Sequence, residues 1–136
     1  MEQSSALRTV VVRVVVVGLI LGTAWFFVRP PIVEVSVGDV VIVKHSRPSF
    51  GGGDDALVSG SLTVDDEGCL GLDGRVTVFP FWTRITSTDP VTLRVLGETK
   101  TLGDQVEGGG GYGYGPVTWL DRCRPDPGVE VPYFNP

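Results

Sequence analysis

An apolar run near the N-terminus is the feature that most constrains this chain. Residues 10–28 form a stretch of 19 residues with one charge, Arg13. As an α-helix such a stretch is about 28 Å long, close to the roughly 30 Å hydrocarbon core of a bilayer. Arg13 lies near one end, where its long side chain can reach the headgroups. The sequence therefore predicts one N-terminal transmembrane helix over residues 10–28, with the lipid bilayer as its partner.

A cleaved signal peptide is the alternative interpretation of the same run. Residues 22–24 offer the small side chains that signal peptidase requires, so a secreted domain would begin at Trp25. However, the run continues past Ala24 through aromatic residues that suit a membrane interface, which favours a retained anchor. Arg8 and Arg13 precede the run and predict that residues 1–9 are cytoplasmic. We expect a single-pass protein of the cell membrane, with its C-terminal domain outside.

Two glycines in the predicted span are four residues apart. Gly18 and Gly22 form a GxxxG pattern, which removes side-chain bulk from one face of a helix. Such a face lets two helices approach closely. The pair is a candidate helix-association site, although glycine is common in membrane spans and in this chain.

The rest of the chain is acidic. Residues 30–136 contain eight Lys and Arg against 15 Asp and Glu, a formal charge of −7. Nucleic-acid binding requires clustered basic residues, so this balance argues against a nucleic-acid partner. It also argues against attraction to anionic lipid headgroups.

Beyond a connector at residues 29–32, the pattern indicates β-structure. Apolar and polar residues alternate along 33–37 and 57–64, and several Gly-containing turns separate such runs. Asp73-Gly74 is a typical hairpin turn, and Gly97-Glu98 is a second candidate. The sequence predicts a small all-β barrel or sandwich over residues 33–123, followed by an extended Pro-rich tail at 124–136. The predicted core residues are Leu57, Val64, Leu70, Val76, Val78, Phe79, Leu93, Val95, Leu102, Val106 and Trp119.

Aromatic residues in segments without a clear core pattern are candidates for partner contact. Residues 108–115 contain six glycines and two tyrosines and are predicted to be a loop. Rings on such a loop can contact a protein or a sugar, or they can fold back over the barrel. The candidate contact residues are Trp82, Tyr112, Tyr114, Tyr133 and Phe134.

The two cysteines, Cys69 and Cys123, predict one disulfide in an exported domain. Two free thiols are the alternative. The acidic pairs at 54–55 and 65–66 lack the alternating spacing of a calcium loop, and we expect no metal. His45, the only histidine, could act as a base beside Ser46 or Ser49, but a polar residue at a strand end is the simpler interpretation. No catalytic residue and no cofactor are expected.

Three motifs resemble a family pattern. They are residues 56–70, which end in Gly-Cys-Leu, the Phe-Pro-Phe of residues 79–81, and residues 103–110, which begin Gly-Asp-Gln-Val and end in three glycines. The chain resembles small exported or membrane-tethered actinobacterial proteins, largely uncharacterised. The resemblance implies an extracytoplasmic β-domain and brings no catalytic residue. Relatives of the lipoprotein type carry a lipidated cysteine where this chain has its apolar run.

These observations favour a non-enzymatic, single-pass envelope protein. We expect an accessory or scaffold subunit whose β-domain contacts a membrane protein assembly, or its own copies, on the extracytoplasmic side. A module that binds cell-wall glycan is the first alternative, and an uncharacterised envelope hydrolase is the second.

Overall fold

The computed structural model describes residues 3–28, 31–48, 56–113 and 120–134. Within the N-terminal helix, side chains are described for residues 11–23. The chain divides into two compact units, Met1–Pro30 and Pro31–Pro136. Among the described residues, the first unit is helical and the second contains strands joined by turns and irregular segments. The prediction of an all-β domain after an N-terminal helix is therefore confirmed.

The N-terminal unit is the single helix α1, Gln3–Val28. Its described side chains are all exposed; among them Val14 is 66% and Leu19 64% exposed. The predicted transmembrane character of residues 10–28 is not supported here, because no helix within the described residues is both long and apolar enough to cross a membrane.

The second unit contains short strands joined by tight turns. Asp73 and Gly74 have φ of 51° and 75°, and they join a hairpin in which Leu72 lies opposite Arg75, as predicted. The strands are β1 (Ile32–Val37), β2 (Val40–His45), β3 (Ala56–Val64), β4 (Leu70–Leu72), β5 (Arg75–Val76), β6 (Val78–Phe79), β7 (Arg84–Thr88), β8 (Val91–Val95), β9 (Glu98–Thr101), β10 (Gln105–Gly113) and β11 (Val131–Phe134).

Most of these strands form one curled sheet in the order β1-β2-β6-β11-β10-β3-β4-β5. The pairs β2–β6 and β6–β11 are parallel, and the other neighbours are antiparallel. A bridge from Val41 of β2 to Cys69, just before β4, brings distant strands of the sheet together. The sheet is thus a half-barrel, which matches the predicted architecture in its coarse form.

A second sheet has the order β7-β8-β9. Its inward residues, Leu93 and Val95, are almost completely buried and belong to the same core as Phe79 and Phe134 of the large sheet. Alternation along β8 places Thr92 and Arg94 on the opposite face.

Most predicted core residues are buried. Leu70, Val78, Phe79, Leu93, Val95 and Val106 are at most 2% exposed, and Val64 and Val76 pack against the core from partly buried positions. Two predictions are wrong: Leu57 is 60% and Leu102 42% exposed. Leu57 lies on the outward side of β3, and Leu102 lies in the turn after β9. Trp119 lies outside the described residues.

The prediction of a loop at 108–115 is wrong as far as Gly113, because these glycines belong to β10. A Cβ on Gly110 would overlap the Tyr133 backbone oxygen, and one on Gly108 would lie 2.7 Å from Leu96 Cδ1. Glycine here lets neighbouring backbone and side chains approach the strand. The segment predicted to be an extended Pro-rich tail, residues 124–136, contains the extended strand β11, which pairs with β10 and β6 inside the large sheet.

Candidate functional site

The turn between β6 and β7 presents an exposed aromatic residue. The Thr83 amide donates a hydrogen bond to the Pro80 carbonyl at 3.0 Å, which closes the turn. Lys44 lies opposite Phe79 in the β2–β6 register, so its side chain extends to this turn. Its ammonium donates to the carbonyls of Phe81, at 3.1 Å, and Thr83, at 3.2 Å. A cation from β2 therefore fixes the backbone on both sides of Trp82.

Trp82 is 60% exposed, which is high for so large an apolar side chain. Its ring meets the Phe81 ring edge to face, with centroids 4.7 Å apart. The Phe81 ring in turn lies 5.6 Å from the Lys44 ammonium nitrogen, within the range of a cation–π contact. The Phe81 ring therefore packs against the Trp82 ring, and the Lys44 ammonium packs against Phe81, while much of the indole stays open to solvent.

A pocket of about 310 Å³ lies beside the Trp82 ring. Leu96 forms another wall and is 45% exposed, because the Leu96-Gly97 turn holds both residues at positive φ, 51° and 84°. The described residues that line the pocket are Pro80, Trp82, Thr83, Arg94, Leu96 and Gly97.

Thr83 carries a buried polar group behind the wall of this pocket. The residue is 1% exposed, and its hydroxyl oxygen has no hydrogen-bond partner among the described residues. Buried hydroxyl groups are normally paired, because leaving one without a partner costs free energy. Because the hydroxyl oxygen is itself buried, Thr83 contributes to the wall of the pocket and not an exposed hydrogen-bonding group.

Two arginines lie side by side next to this pocket. Arg84 of β7 is directly opposite Arg94 of β8. The turn pairs Thr88 with Val91 and Ser87 with Thr92, so an unbroken register would place Ile85 opposite Arg94. A β-bulge between Ile85 and Ser87 shifts the register by one residue and aligns the two arginines on one face.

Lys44 adds a third positive charge near this pair. Burial lowers the pKa of the Lys44 ammonium, and the charge of Arg84 lowers it further. Lys44, Arg84 and Arg94, together with Trp82 and Leu96, are referred to below as the Trp82 face. It joins an aromatic ring, an aliphatic side chain and three cations.

The structure separates the four predicted contact residues that it describes. Trp82 is at the pocket, and Tyr112 is 39% exposed on β10 opposite Pro132. Tyr133 is half-buried on β11 and pairs with Val78. Phe134 is completely buried and its ring stacks on Phe79 with centroids 5.9 Å apart, so its prediction as a contact residue is wrong. Tyr114 lies outside the described residues.

The predicted disulfide is confirmed. Cys69 and Cys123 are bonded, with Cα atoms 5.6 Å apart. Both residues are buried in a core cluster with Val41, Val78 and Val131. The bond holds the segment before β11 against the start of β4. Neither cysteine lines the Trp82 pocket, so the role of the disulfide is structural.

The acidic and histidine candidates take structural positions. The Asp65 carboxylate accepts from the amides of Glu67, at 2.9 Å, and Cys69, at 2.8 Å, which closes the turn before β4. His45 is half-buried; burial lowers its pKa, and a hydrogen bond with the Phe134 backbone opposes that shift. Within the part of the chain that the structure describes, which omits residues 54–55, no group of His, Cys, Asp or Glu could hold a metal ion. Gly18 and Gly22 lie in α1, where an added Cβ would meet nothing within 4 Å.

The sequence analysis missed Lys44, Thr83, Arg84, Arg94 and Leu96. Their proximity depends on the parallel β2–β6 pairing and on the bulge in β7, and neither leaves a clear sequence pattern. The signal that was present is local: Arg84 follows Trp82 by two residues outside a core pattern, and Trp and Arg are both enriched at binding surfaces.

No protein-family model, curated protein or solved structure matches this chain. The resemblance to small exported actinobacterial proteins therefore stays a prediction.

Proposed function

We propose that this chain is a non-enzymatic, membrane-tethered envelope protein whose β-domain binds cell-wall glycan at the Trp82 face. The observation that carries the proposal is the pocket beside Trp82, with its open aromatic ring and the exposed Arg94 in its lining. Ligand sites commonly combine aromatic walls with a few polar groups that fix orientation. At about 310 Å³, the pocket is at the lower end of small-molecule sites and suits one ring-sized group.

The lining of the pocket favours binding over catalysis. Its described residues include an arginine and a threonine but no carboxylate, histidine or cysteine. General acid–base catalysis requires a group that exchanges a proton near neutral pH. His45 is the only histidine of the chain, and it is a half-buried residue at the end of β2 that bonds to the Phe134 backbone.

Location outside the cytoplasm is supported by two features. Disulfides persist in oxidising compartments, and Cys69 and Cys123 form one. The second feature comes from the sequence alone: the length of the apolar run at 10–28 favours a membrane tether, and the arginines before it favour a cytoplasmic N-terminus, whereas no helix within the described residues is both long and apolar enough to cross a membrane. In this proposal the run remains uncleaved and holds the β-domain near the membrane surface, where cell-wall polymer lies.

Binding to isolated cell wall tests the proposal directly. Full-length protein in a polyoxyethylene detergent, which lacks a sugar headgroup, is incubated with insoluble wall and sedimented. We expect the wild-type chain to sediment with the wall and Trp82→Ala to remain in solution. Val129→Ala is the matched control, because Val129 is also exposed, at 43%, but lines a different pocket. Equal sedimentation of both variants, or no sedimentation of the wild type, would contradict the proposal.

An accessory subunit of a membrane protein assembly is the second candidate. It is favoured by the residue types of the Trp82 face, since Trp and Arg dominate the binding energy of many protein interfaces. The open space at Gly18 and Gly22 would also permit close helix packing. Mild cross-linking in membranes separates the candidates: a defined membrane subunit that is lost with Trp82→Ala supports the accessory role.

A further inference from the structure

The pairing of Arg84 with Arg94 is electrostatically unfavourable. Directly opposed residues of neighbouring antiparallel strands have Cβ atoms about 5 Å apart, and like charges at such positions repel. The fold creates this pair through a bulge, because the register set by the turn would have kept the two arginines apart. Bulges often re-aim side chains beside functional sites. A negatively charged group beside the two arginines would offset the repulsion between them.

No carboxylate within the described part of the chain supplies that charge. Neither Arg84 nor Arg94 forms an ion pair there, and the printed sequence is acidic, with 16 Asp and Glu against 11 Lys and Arg. In contrast, Lys100 on the same sheet is paired with Glu98 at 2.6 Å. Arg84 and Arg94 therefore lie together on one exposed face, with the Lys44 ammonium near Arg84, and a bound anion would relieve their mutual repulsion.

Hydroxyl groups extend this cationic face along the small sheet. Arg94 lies opposite Thr99 of β9, and Thr92 lies opposite Thr101. The Thr86 and Thr92 hydroxyls contact each other at 2.8 Å. The outward face of the sheet thus offers guanidinium donors and threonine hydroxyls in adjacent rows, with the Trp82 ring at one end. Hydroxyls and guanidiniums both suit a ligand rich in oxygen atoms.

We infer that the Trp82 face recognises an anionic glycan, a sugar polymer that bears carboxylate or phosphate groups. The Trp82 pocket receives one sugar ring, and the guanidiniums of Arg84 and Arg94 bind the negatively charged oxygens beside it. This inference rests on the proposed function and adds the charge of the ligand. A protein partner fits this face less well, because the centre of a protein interface is apolar and the small sheet beyond Trp82 and Leu96 is lined by threonines and arginines.

Titration calorimetry with defined polymers tests the inference on the full-length protein in polyoxyethylene detergent. The probes are polygalacturonate for carboxylate, phosphomannan for phosphate, and dextran as a neutral polymer. We expect at least one anionic polymer to bind about tenfold or more tightly than dextran. The same binding should weaken as salt is raised, since screening by salt reduces attraction between exposed charges. The tighter of the two anionic probes identifies the group that the site prefers.

Substitution separates this inference from the proposed function. Arg84→Gln and Arg94→Gln should each weaken anionic-polymer binding by roughly tenfold. Arg84 is not part of the pocket lining, so Arg84→Gln should leave dextran binding nearly unchanged, whereas Arg94 lines the pocket and Arg94→Gln should weaken dextran binding less than anionic-polymer binding. Arg75→Gln is the matched control, because Arg75 is an exposed arginine on β5 that lines a different pocket. Trp82→Ala should weaken the binding of every polymer.

Three outcomes would overturn the inference. Equal affinity for dextran and the anionic polymers, with no effect of either arginine substitution, would refute the anionic preference while leaving glycan binding in place. Absence of binding to any polymer would refute the proposed function as well. Binding to phosphatidylglycerol vesicles that is lost with Arg84→Gln, without binding to the polymers, would assign the face to a lipid surface instead.

Discussion

The Glu34 carboxylate accepts a hydrogen bond from the backbone amide of Cys123 at 2.7 Å. It also accepts from the amide of Arg122, so one side chain on β1 holds two consecutive amides that are 88 and 89 residues away in sequence. Hydrogen bonds to a charged acceptor are stronger than neutral ones. Together with the Cys69–Cys123 disulfide, Glu34 fixes the segment that leads into β11.

Replacing Glu34 should therefore destabilise the β-domain. We expect Glu34→Ala to lower the free energy of unfolding by about 1–3 kcal/mol, because two amides lose their acceptor. Glu34→Gln keeps one acceptor oxygen and should cost less. Urea unfolding measures the free energy of unfolding of both variants. Glu107→Ala, which removes an exposed carboxylate of β10 with no hydrogen bond among the described residues, is the control and should leave stability nearly unchanged. Equal midpoints for Glu34→Ala and Glu107→Ala would refute this role.

Neighbouring glycines of β10 should respond differently to the same substitution. A Cβ at Gly110 would overlap the Tyr133 backbone oxygen and lie 2.8 Å from Val58 Cγ2, whereas a Cβ at Gly109 would meet nothing within 4 Å. Gly110→Ala should destabilise the fold by about 1–3 kcal/mol or more, since the obstructing atom belongs to the backbone. Gly109→Ala should be neutral or slightly stabilising. Thermal unfolding of the two variants measures this difference in stability. Equal decreases in melting temperature for both variants would contradict the tight β10–β11 contact.

The β-domain was predictable where side chains alternate and where turns have a strong local signal. Asp73-Gly74 takes the expected positive φ at both positions, and the alternating segment of β3 is a strand. The glycines of β10 were not predictable as a strand, because a run of glycine carries no alternation and its strand is defined by what packs against it. The order of the large sheet was also hidden, since two parallel pairs join strands that are far apart in sequence.

The candidate site was predictable only in part. Trp82 was predicted to be a contact residue because it lies outside any core pattern, and it is exposed. Phe134 was predicted for the same reason but is buried, because β11 lies between β6 and β10 in the large sheet. The Arg84–Arg94 pair depends on a one-residue bulge, and in a strand such a shift changes which side chains share a face. Local sequence gives no measure of that register.

The stability of the fold should depend on His45 below neutral pH. Burial lowers the folded-state pKa of His45 from 6.5, and its Nε2 is buried without a hydrogen-bond partner among the described residues. The unfolded chain therefore binds a proton more readily, so stability is present above about pH 6.5 and is lost as the pH falls toward the depressed folded-state pKa.

Urea unfolding of the wild type and His45→Gln at several pH values between about 5 and 8 tests this prediction. The variant cannot take up the proton, so its stability relative to the wild type should rise as the pH is lowered. A difference between the two proteins that stays constant over this range would show that His45 does not titrate differently in the folded and unfolded states.

Hydroxyl-radical footprinting of Trp82 tests the central claim most directly, because it reads the binding face in the unmodified full-length protein. Trp82 is 60% exposed and should be oxidised readily in the free protein. With saturating cell-wall glycan, we predict that oxidation of Trp82 falls several-fold, while that of exposed Val129, which lines a different pocket, is unchanged. Unaltered oxidation of Trp82 in protein that has sedimented with the glycan would contradict the account, because the ligand would then bind elsewhere.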